Sequence, residues 1–135
     1  MFTHNFSSID RMKIIIQHLD SGINVLHSDL DAVWLKNPLN FITNDYDVIA
    51  STGTFPSSVY RRLGYTICMG WIYYKSCDIV RTLLRNTVDN HNCSSDQLAF
   101  NRELFNGSRY KNLKLKTLDQ SIVSRGKPHN EHTYV

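Results

Sequence analysis

The feature that most limits how this chain can fold is a short apolar run that stops at two carboxylates. Residues 23–28 read INVLHS, and Asp29 and Asp31 follow directly. Such a run favours a largely buried β-strand, and residues two apart in an extended backbone point the same way. In open α/β sheets, ligands bind beyond the carboxyl ends of the strands. The two aspartates are therefore predicted to converge on one point just past a strand end.

Two converging carboxylates suit a divalent cation. Carboxylate oxygens are the ligands that Mg²⁺ and Mn²⁺ prefer, and one or two of them commonly hold such an ion together with substrate phosphates. Asp29 and Asp31 are therefore candidate metal ligands. The alternative is a solvated turn, because Asp-x-Asp also occurs by chance in many chains.

The rest of the chain alternates between helical and extended patterns, which indicates an α/β fold. Ser7 and Asp10 have the spacing of a capping box, and Gly22 is expected to end the helix that they begin. The other predictions are strands over 47–51, 66–75 and about 113–118, helices over 76–88 and about 95–104, and a loop over 52–65 that contains two glycines and a proline.

Composition excludes several classes of protein. The 135 residues have the length of one domain, and a net charge of +3 is too small to indicate nucleic-acid binding. The apolar stretch over 67–74 is far shorter than the roughly 18 residues of a membrane span. We expect no targeting segment in this chain, since its first residues lack the features of a signal peptide. The cysteines leave a Cys77–Cys93 bridge and free thiols as alternatives.

Four stretches, in order, resemble the signature of the nucleotide-diphospho-sugar transferases, the group that includes plant xylosyl- and arabinosyltransferases. They are VLHSDLDAVWLKNPL (25–39), YDVIAS (46–51), GWIYY (70–74) and SDQLAFN (95–101). The ordered set is far more specific than any one of its members, and the resemblance extends over about residues 10–105.

The resemblance implies a GT-A type fold, which is a Rossmann-like mixed sheet flanked by helices. Residues 1–135 would form a single partial transferase domain, incomplete at one or both ends. The implied activity is metal-dependent transfer of a sugar from a nucleotide-diphosphate donor, such as a UDP-sugar, to a glycan or glycoprotein, with retention of anomeric configuration. Relatives are typically anchored in the Golgi membrane with a lumenal catalytic domain, so attachment to a membrane would use a segment that this chain lacks.

The resemblance also implies roles for individual residues. Asp31 would bind Mn²⁺ or Mg²⁺ directly, and Asp29 would contact the ion through water or contact the ribose. Asp96 and Gln97 would face the donor sugar or the acceptor, as the catalytic pair.

Other residues near these motifs have two interpretations. Ser28 could contact a phosphate of the donor or hydrogen-bond the turn backbone. Gly70, inside a strand, lets a donor or another backbone approach closely. Trp34 is predicted to pack in the core rather than stack on the donor. Tyr73 and Tyr74 are predicted to split across their strand, with one ring buried and the other exposed.

The chain departs from the family pattern at two points. Cys68 stands two residues before Gly70, where the family usually has asparagine. Relatives also supply a metal-binding histidine near the end of the domain, where His129 and His132 lie in an irregular tail. An earlier nucleoside-binding unit is missing, so the chain is interpreted as a fragment of a longer transferase.

Two alternative functions stay open. Phosphatases of the haloacid-dehalogenase type also end a strand with Asp-x-Asp-x-Val, which residues 29–33 match, and Ser51 fits their second motif. However, the later acidic pair of those enzymes is absent. The other alternative is a truncated, inactive transferase that acts only as a binding domain.

Overall fold

The computed structural model describes residues 7–123 and Val135, and these form a mixed four-stranded sheet with flanking helices. This confirms the predicted α/β class. The elements are α1 (Ser8–Asp20), β1 (Val25–Ser28), a short 3₁₀ helix (Pro38–Phe41), β2 (Val48–Gly53), α2 (Ser57–Leu63), β3 (Thr66–Tyr74), α3 (Asp78–Asn90), α4 (Asp96–Leu104) and β4 (Leu115–Leu118).

The strands lie in the order β1-β3-β2-β4. Strand β3 is antiparallel to both of its neighbours, whereas β2 and β4 are parallel. β3 is buried along its whole length except at Gly70. Both faces of the sheet are covered, so Tyr73 and Tyr74 are 4% and 0% exposed. The prediction that one of these rings is exposed is therefore wrong.

Alternate residues of the strands enter two apolar clusters, one on each face of the sheet. The first cluster joins the sheet to α1, α3 and α4, and its members include Met12, Leu19, Ile72, Tyr74, Leu84 and Phe100. The second covers the opposite face and consists of Ile49, Trp71, Tyr73, Leu118, Val123 and Val135, with partly buried neighbours. The charged residues of the candidate site lie on the face of the first cluster.

Helix α1 begins and ends as predicted. The Ser7 hydroxyl accepts a hydrogen bond from the Asp10 amide at 3.2 Å, and the Asp10 carboxylate accepts one from the Ser7 amide at 3.0 Å. Gly22 follows the helix with φ at 80°. Met12 and Leu19 are buried, which holds α1 against the sheet.

Two predictions about local structure are wrong. The segment 52–65 contains α2, a helix too short to give a clear apolar period, and its buried residue is Val59. The first strand is half-buried because β1 is an edge strand of the four-strand sheet, and Ile23 is 52% exposed outside it. Of the two alternatives stated for Cys77 and Cys93, the structure shows free thiols, at opposite ends of the 13-residue helix α3.

Within residues 7–123, no helix has both the length and the apolar character needed to cross a membrane.

Candidate active site

The candidate site begins where β1 ends. The Asp29 amide donates to the Gly70 carbonyl at 2.8 Å, and the Ala32 amide donates to the Asp29 carbonyl at 3.0 Å. The backbone therefore turns at Leu30 and Asp31, and both side chains are exposed. The extended geometry that predicted convergence of the two carboxylates ends at Asp29, although their metal-binding role stays a prediction. Among residues 7–123, the Asp31 carboxylate has no hydrogen bond or ion pair.

The carboxylates of Asp29 and Asp96 meet at a single guanidinium, that of Arg11 on α1. Arg11 Nη1 donates to Asp29 Oδ1 at 2.9 Å, and Arg11 Nε donates to Asp96 Oδ2 at 3.1 Å. Arg11 Nη2 also bonds Asp96 Oδ2. Two of the sequence-predicted site residues are thus brought together by a third that the sequence analysis missed.

His27 completes this group from β1. Its Nε2 lies 2.8 Å from Asp29 Oδ1 and 3.1 Å from Arg11 Nη1. In the tautomer protonated at Nε2 the ring donates to the carboxylate, and in the other it accepts from the arginine. The hydrogen bond from Arg11, and that from His27 when Nε2 is protonated, both go to Oδ1 of Asp29, and the other oxygen is left to other partners.

The network is partly shielded from solvent. The side chains of Arg11, Asp29 and Asp96 are 27%, 39% and 8% exposed. Burial lowers the pKa of the Arg11 guanidinium, but the hydrogen bond to Asp96 and the charges of Asp96 and Asp29 raise it by more. Arg11 is therefore a permanent cation. The Tyr74 hydroxyl is buried near the charges of Asp96 and Arg11. Burial and then the charge of Asp96 raise the pKa of Tyr74, so this hydroxyl stays neutral.

Asp96 owes its position to the start of α4. Ser95 caps this helix by accepting from the Leu98 amide at 3.2 Å. The Asp96 amide donates to the Ser8 hydroxyl at 3.0 Å, and that hydroxyl donates to the Ser94 carbonyl at 2.5 Å. The starts of α1 and α4 are thus tied together, which places Asp96 beside Arg11.

Gln97 and Asn101 pair with the part of β3 that β1 does not reach. Gln97 Oε1 accepts from the Met69 amide at 3.3 Å, and its Nε2 donates to the Phe55 carbonyl at 2.8 Å. Asn101 exchanges hydrogen bonds with the amide and carbonyl of Ile67, at 2.7 and 2.8 Å. Gln97 therefore anchors α4 to β3 through Oε1 and to the loop between β2 and α2 through Nε2. Its predicted contact with a sugar or acceptor stays a prediction.

Gly70 lies in a bulge of β3. Ala50 and Ser51 of β2 pair with Ile72 and Cys68, so residues 69–71 have no direct partners in β2. A Cβ atom at Gly70 would lie 3.1 Å from Asp29 Oδ2. The close approach predicted for this glycine is thus made by the carboxylate of Asp29, and a contact between Gly70 and a donor stays a prediction.

Trp34 is on the surface, 44% exposed, so the prediction that it packs in the core is wrong. Its indole Nε1 donates to the Ser28 hydroxyl at 3.0 Å. The residues that follow Asp29 leave the sheet, and this exposes Leu30, Val33 and Leu35 as well. Ser28 therefore holds Trp34 in place, and contact between Ser28 and a phosphate is not tested.

The chemistry of the donor set fits a cation that completes its coordination with substrate. Within the described ranges, no group of three or more His, Cys, Asp or Glu side chains is arranged to hold a metal. Asp29 and Asp31 offer hard oxygen donors, and the space over Gly70 accommodates Asp29 Oδ2. One or two carboxylates are sufficient for Mg²⁺ or Mn²⁺ when phosphates supply further ligands. His129 and His132 lie outside the described residues.

A known protein family matches almost the whole chain. Residues 4–134 match the family model for nucleotide-diphospho-sugar transferases. The chain belongs to this family. The match confirms the resemblance inferred from the four motifs, and it supports a transferase rather than a phosphatase. Searches of the curated proteins and of the solved structures gave no match. As a nucleotide-diphospho-sugar transferase, the protein is an enzyme of the glycosyltransferase type that uses a nucleotide-sugar donor and an acceptor.

Proposed function

We propose that this transferase binds a UDP-sugar together with Mn²⁺ or Mg²⁺ at the end of β1 and transfers the sugar to a glycan or glycoprotein. The observation that carries the proposal is the contact of Arg11 with both Asp29 and Asp96. It joins two motifs typical of the family, one at the end of a strand and the other at the start of a helix, in a single site.

Asp31 and Asp29 are the residues proposed to hold the cation. Asp31 is exposed, and Asp29 is fixed through Oδ1 by Arg11 and His27 while Oδ2 lies over Gly70. When bound, the cation supplies positive charge that stabilises a departing nucleoside diphosphate. The protein supplies a preorganised carboxylate, since Asp29 is already oriented by its two neighbours.

Asp96 and Gln97 are proposed to face the reacting sugar. Arg11 bonds Oδ2 of Asp96, so the carboxylate is held in one orientation at the start of α4. A fixed negative charge at this position would stabilise the positive charge that develops on a sugar as its bond to the diphosphate breaks. Gln97 would contribute by keeping α4 in register with β3. Transfer with retention of configuration is part of the proposal and rests on membership of the family.

The proposed location is the lumenal side of the Golgi membrane, where Mn²⁺ and nucleotide sugars would be available. This proposal rests on membership of the transferase family. Attachment to the membrane would need a segment outside residues 7–123.

Calorimetric titration with UDP, in the presence and absence of Mn²⁺, tests the proposal. We expect UDP binding that requires Mn²⁺ and is lost in Asp31→Ala. The matched control is Asp45→Asn, which removes the charge of another exposed aspartate and should bind UDP like the original chain. A chain that is folded but does not bind UDP with Mn²⁺ would contradict the proposed site. Hydrolysis of a phosphate monoester that is lost in Asp29→Asn would favour the phosphatase instead.

A further inference from the structure

Arg11 places a fixed positive charge beside Asp29, one of the two carboxylates proposed to bind the metal cation. Its guanidinium lies between two carboxylates, 2.9 Å from Asp29 Oδ1 and 3.1 Å from Asp96 Oδ2. The hydrogen bonds come from three nitrogens of one planar group, so the cation is held in a single position. Its side chain is 27% exposed. Such shielding makes its effect on neighbouring charges stronger than that of a surface lysine.

This position has a consequence for the order in which ligands bind. One guanidinium offsets the charge of one of the two carboxylates that it contacts, Asp29 and Asp96, and this lowers the attraction of Asp29 for a divalent ion. A metal ion that approaches Asp29 is also repelled by Arg11. A bound diphosphate offsets this repulsion, because its negative charges attract both Arg11 and the metal ion.

We propose that Arg11 suppresses metal binding at Asp29 until an anionic diphosphate is present, and so couples uptake of the cation to uptake of the donor. The inference deepens the proposed function and rests on the metal–diphosphate site described there. In this role Arg11 is a positioning residue and an internal counter-cation.

A purely structural role for Arg11 leads to a different expectation. If the guanidinium only tied α1 to β1 and α4, its removal would loosen Asp29 and Asp96. Binding of Mn²⁺ alone and binding of Mn²⁺ with UDP would then weaken together. The counter-cation role predicts instead that binding of Mn²⁺ alone becomes tighter while binding of Mn²⁺ with UDP changes little, because the same substitution leaves two uncompensated carboxylates.

The test measures free Mn²⁺ by electron paramagnetic resonance, with the chain alone and with saturating UDP. We expect Arg11→Met to bind Mn²⁺ alone about tenfold more tightly than the original chain. The coupling factor, which is the ratio of the Mn²⁺ dissociation constants without and with UDP, should fall by about the same tenfold. Arg11→Lys keeps the charge and should keep most of the coupling.

Two further variants make the result decisive. Lys13→Met removes a cation from the same helix, where the side chain is 58% exposed and 3.8 Å from its partner Asp10, and should leave both affinities unchanged. Asp96→Asn removes a negative charge but no part of the Arg11 side chain, and should weaken binding of Mn²⁺ alone severalfold. If circular dichroism shows that Arg11→Met is unfolded, the Mn²⁺ affinity of Asp96→Asn tests the role of Arg11 in its place.

The possible outcomes separate the two proposals. Weaker or unchanged binding of Mn²⁺ alone in folded Arg11→Met, or unchanged binding in Asp96→Asn, would overturn the role of Arg11. Absence of any coupling between Mn²⁺ and UDP in the original chain, with tighter Mn²⁺ binding in Arg11→Met, would instead reject the proposed donor site and support suppression of metal binding by Arg11.

Discussion

Two groups of charged side chains within residues 7–123, one around Glu103 and the other around Arg11, differ in how completely they are paired. Buried Glu103 accepts from the Tyr110 hydroxyl at 2.5 Å and from Arg109 Nη1 at 2.7 Å through Oε1. Its Oε2 lies 2.9 Å from His91 Nε2 and 3.5 Å from Asn90 Nδ2. Both oxygens of Glu103 therefore already have hydrogen-bond partners within the protein, and neither is available to a ligand.

The group at Arg11 is arranged differently. Arg11 and His27 both contact Oδ1 of Asp29, whereas Oδ2 lies in the space over Gly70. The side chain of Asp29 is 39% exposed, against 2% for Glu103. The comparison indicates that the Glu103 group stabilises the fold. In the Arg11 group, one oxygen of Asp29 is hydrogen-bonded and the other is open to a further partner.

The largest expected effect comes from removing the fully paired carboxylate. Glu103→Ala leaves Arg109, Tyr110 and His91 without their shared partner, and should lower the free energy of unfolding by about 3 kcal/mol or more. Asp29→Asn should cost about 1 kcal/mol or less, because Arg11 keeps Asp96 as a partner and the site is open to water. Urea denaturation measures both. Equal losses would contradict the distinction between the two groups.

Lowering the pH should weaken the Glu103 group, and this loss of stability should be smaller than the loss caused by Glu103→Ala. Burial raises the pKa of Glu103, but hydrogen bonds from Tyr110, His91, Asn90 and Arg109 lower it by more, so it lies below its usual value of 4.5. The stability that this shift contributes is present above pH 4.5 and is lost as the pH falls through the lowered pKa.

The difference in unfolding free energy between the original chain and Glu103→Gln should therefore be constant near neutral pH and shrink below about pH 4.5. Urea denaturation at several pH values between 7 and 3 gives this difference. If this difference in unfolding free energy instead grows as the pH falls, the pKa of Glu103 is raised in the folded protein and not lowered.

The smallest expected effect is at Gly70, where the space left for Asp29 Oδ2 can be filled. A Cβ atom there would lie 3.1 Å from that oxygen, so Gly70→Ala should displace the carboxylate slightly. We expect severalfold weaker binding of UDP with Mn²⁺ and little change in stability. In the Asp29→Ala background the same substitution should add almost nothing, because its effect acts through Asp29. If the two substitutions weaken binding of UDP with Mn²⁺ additively, Gly70 acts on something other than Asp29.

Local signals predicted most of the fold. The capping box at Ser7 and Asp10 fixed the start of α1, and the apolar run of β3 marked a central strand. Features that depend on distant contacts were not predictable. Trp34 is exposed because the chain leaves the sheet after Asp29, and Tyr73 is buried because the second apolar cluster covers the far face.

The candidate site was predicted in part. The motif resemblance found Asp29 and Asp96, because they carry the signature residues. Arg11 was missed because its partners lie 18 and 85 residues away in the chain, and a lone arginine on an amphipathic helix has the pattern of a solvent-facing residue. The resemblance gave Gln97 a catalytic role, whereas the structure shows that its side-chain amide hydrogen-bonds the backbone of Met69 and Phe55. The alternation of side chains in a strand predicts nothing about Asp31 once the chain turns.

The pairing of α4 with β3 determines how the site tolerates change in the protein interior. Through Gln97 and Asn101, the helix is bonded to main-chain atoms of Met69 and Ile67, which every amino acid except proline provides in full. Substitutions of those strand residues can thus alter their side chains without releasing the helix that carries Asp96. Sequence drift at these two interior positions is therefore insulated from the placement of Asp96.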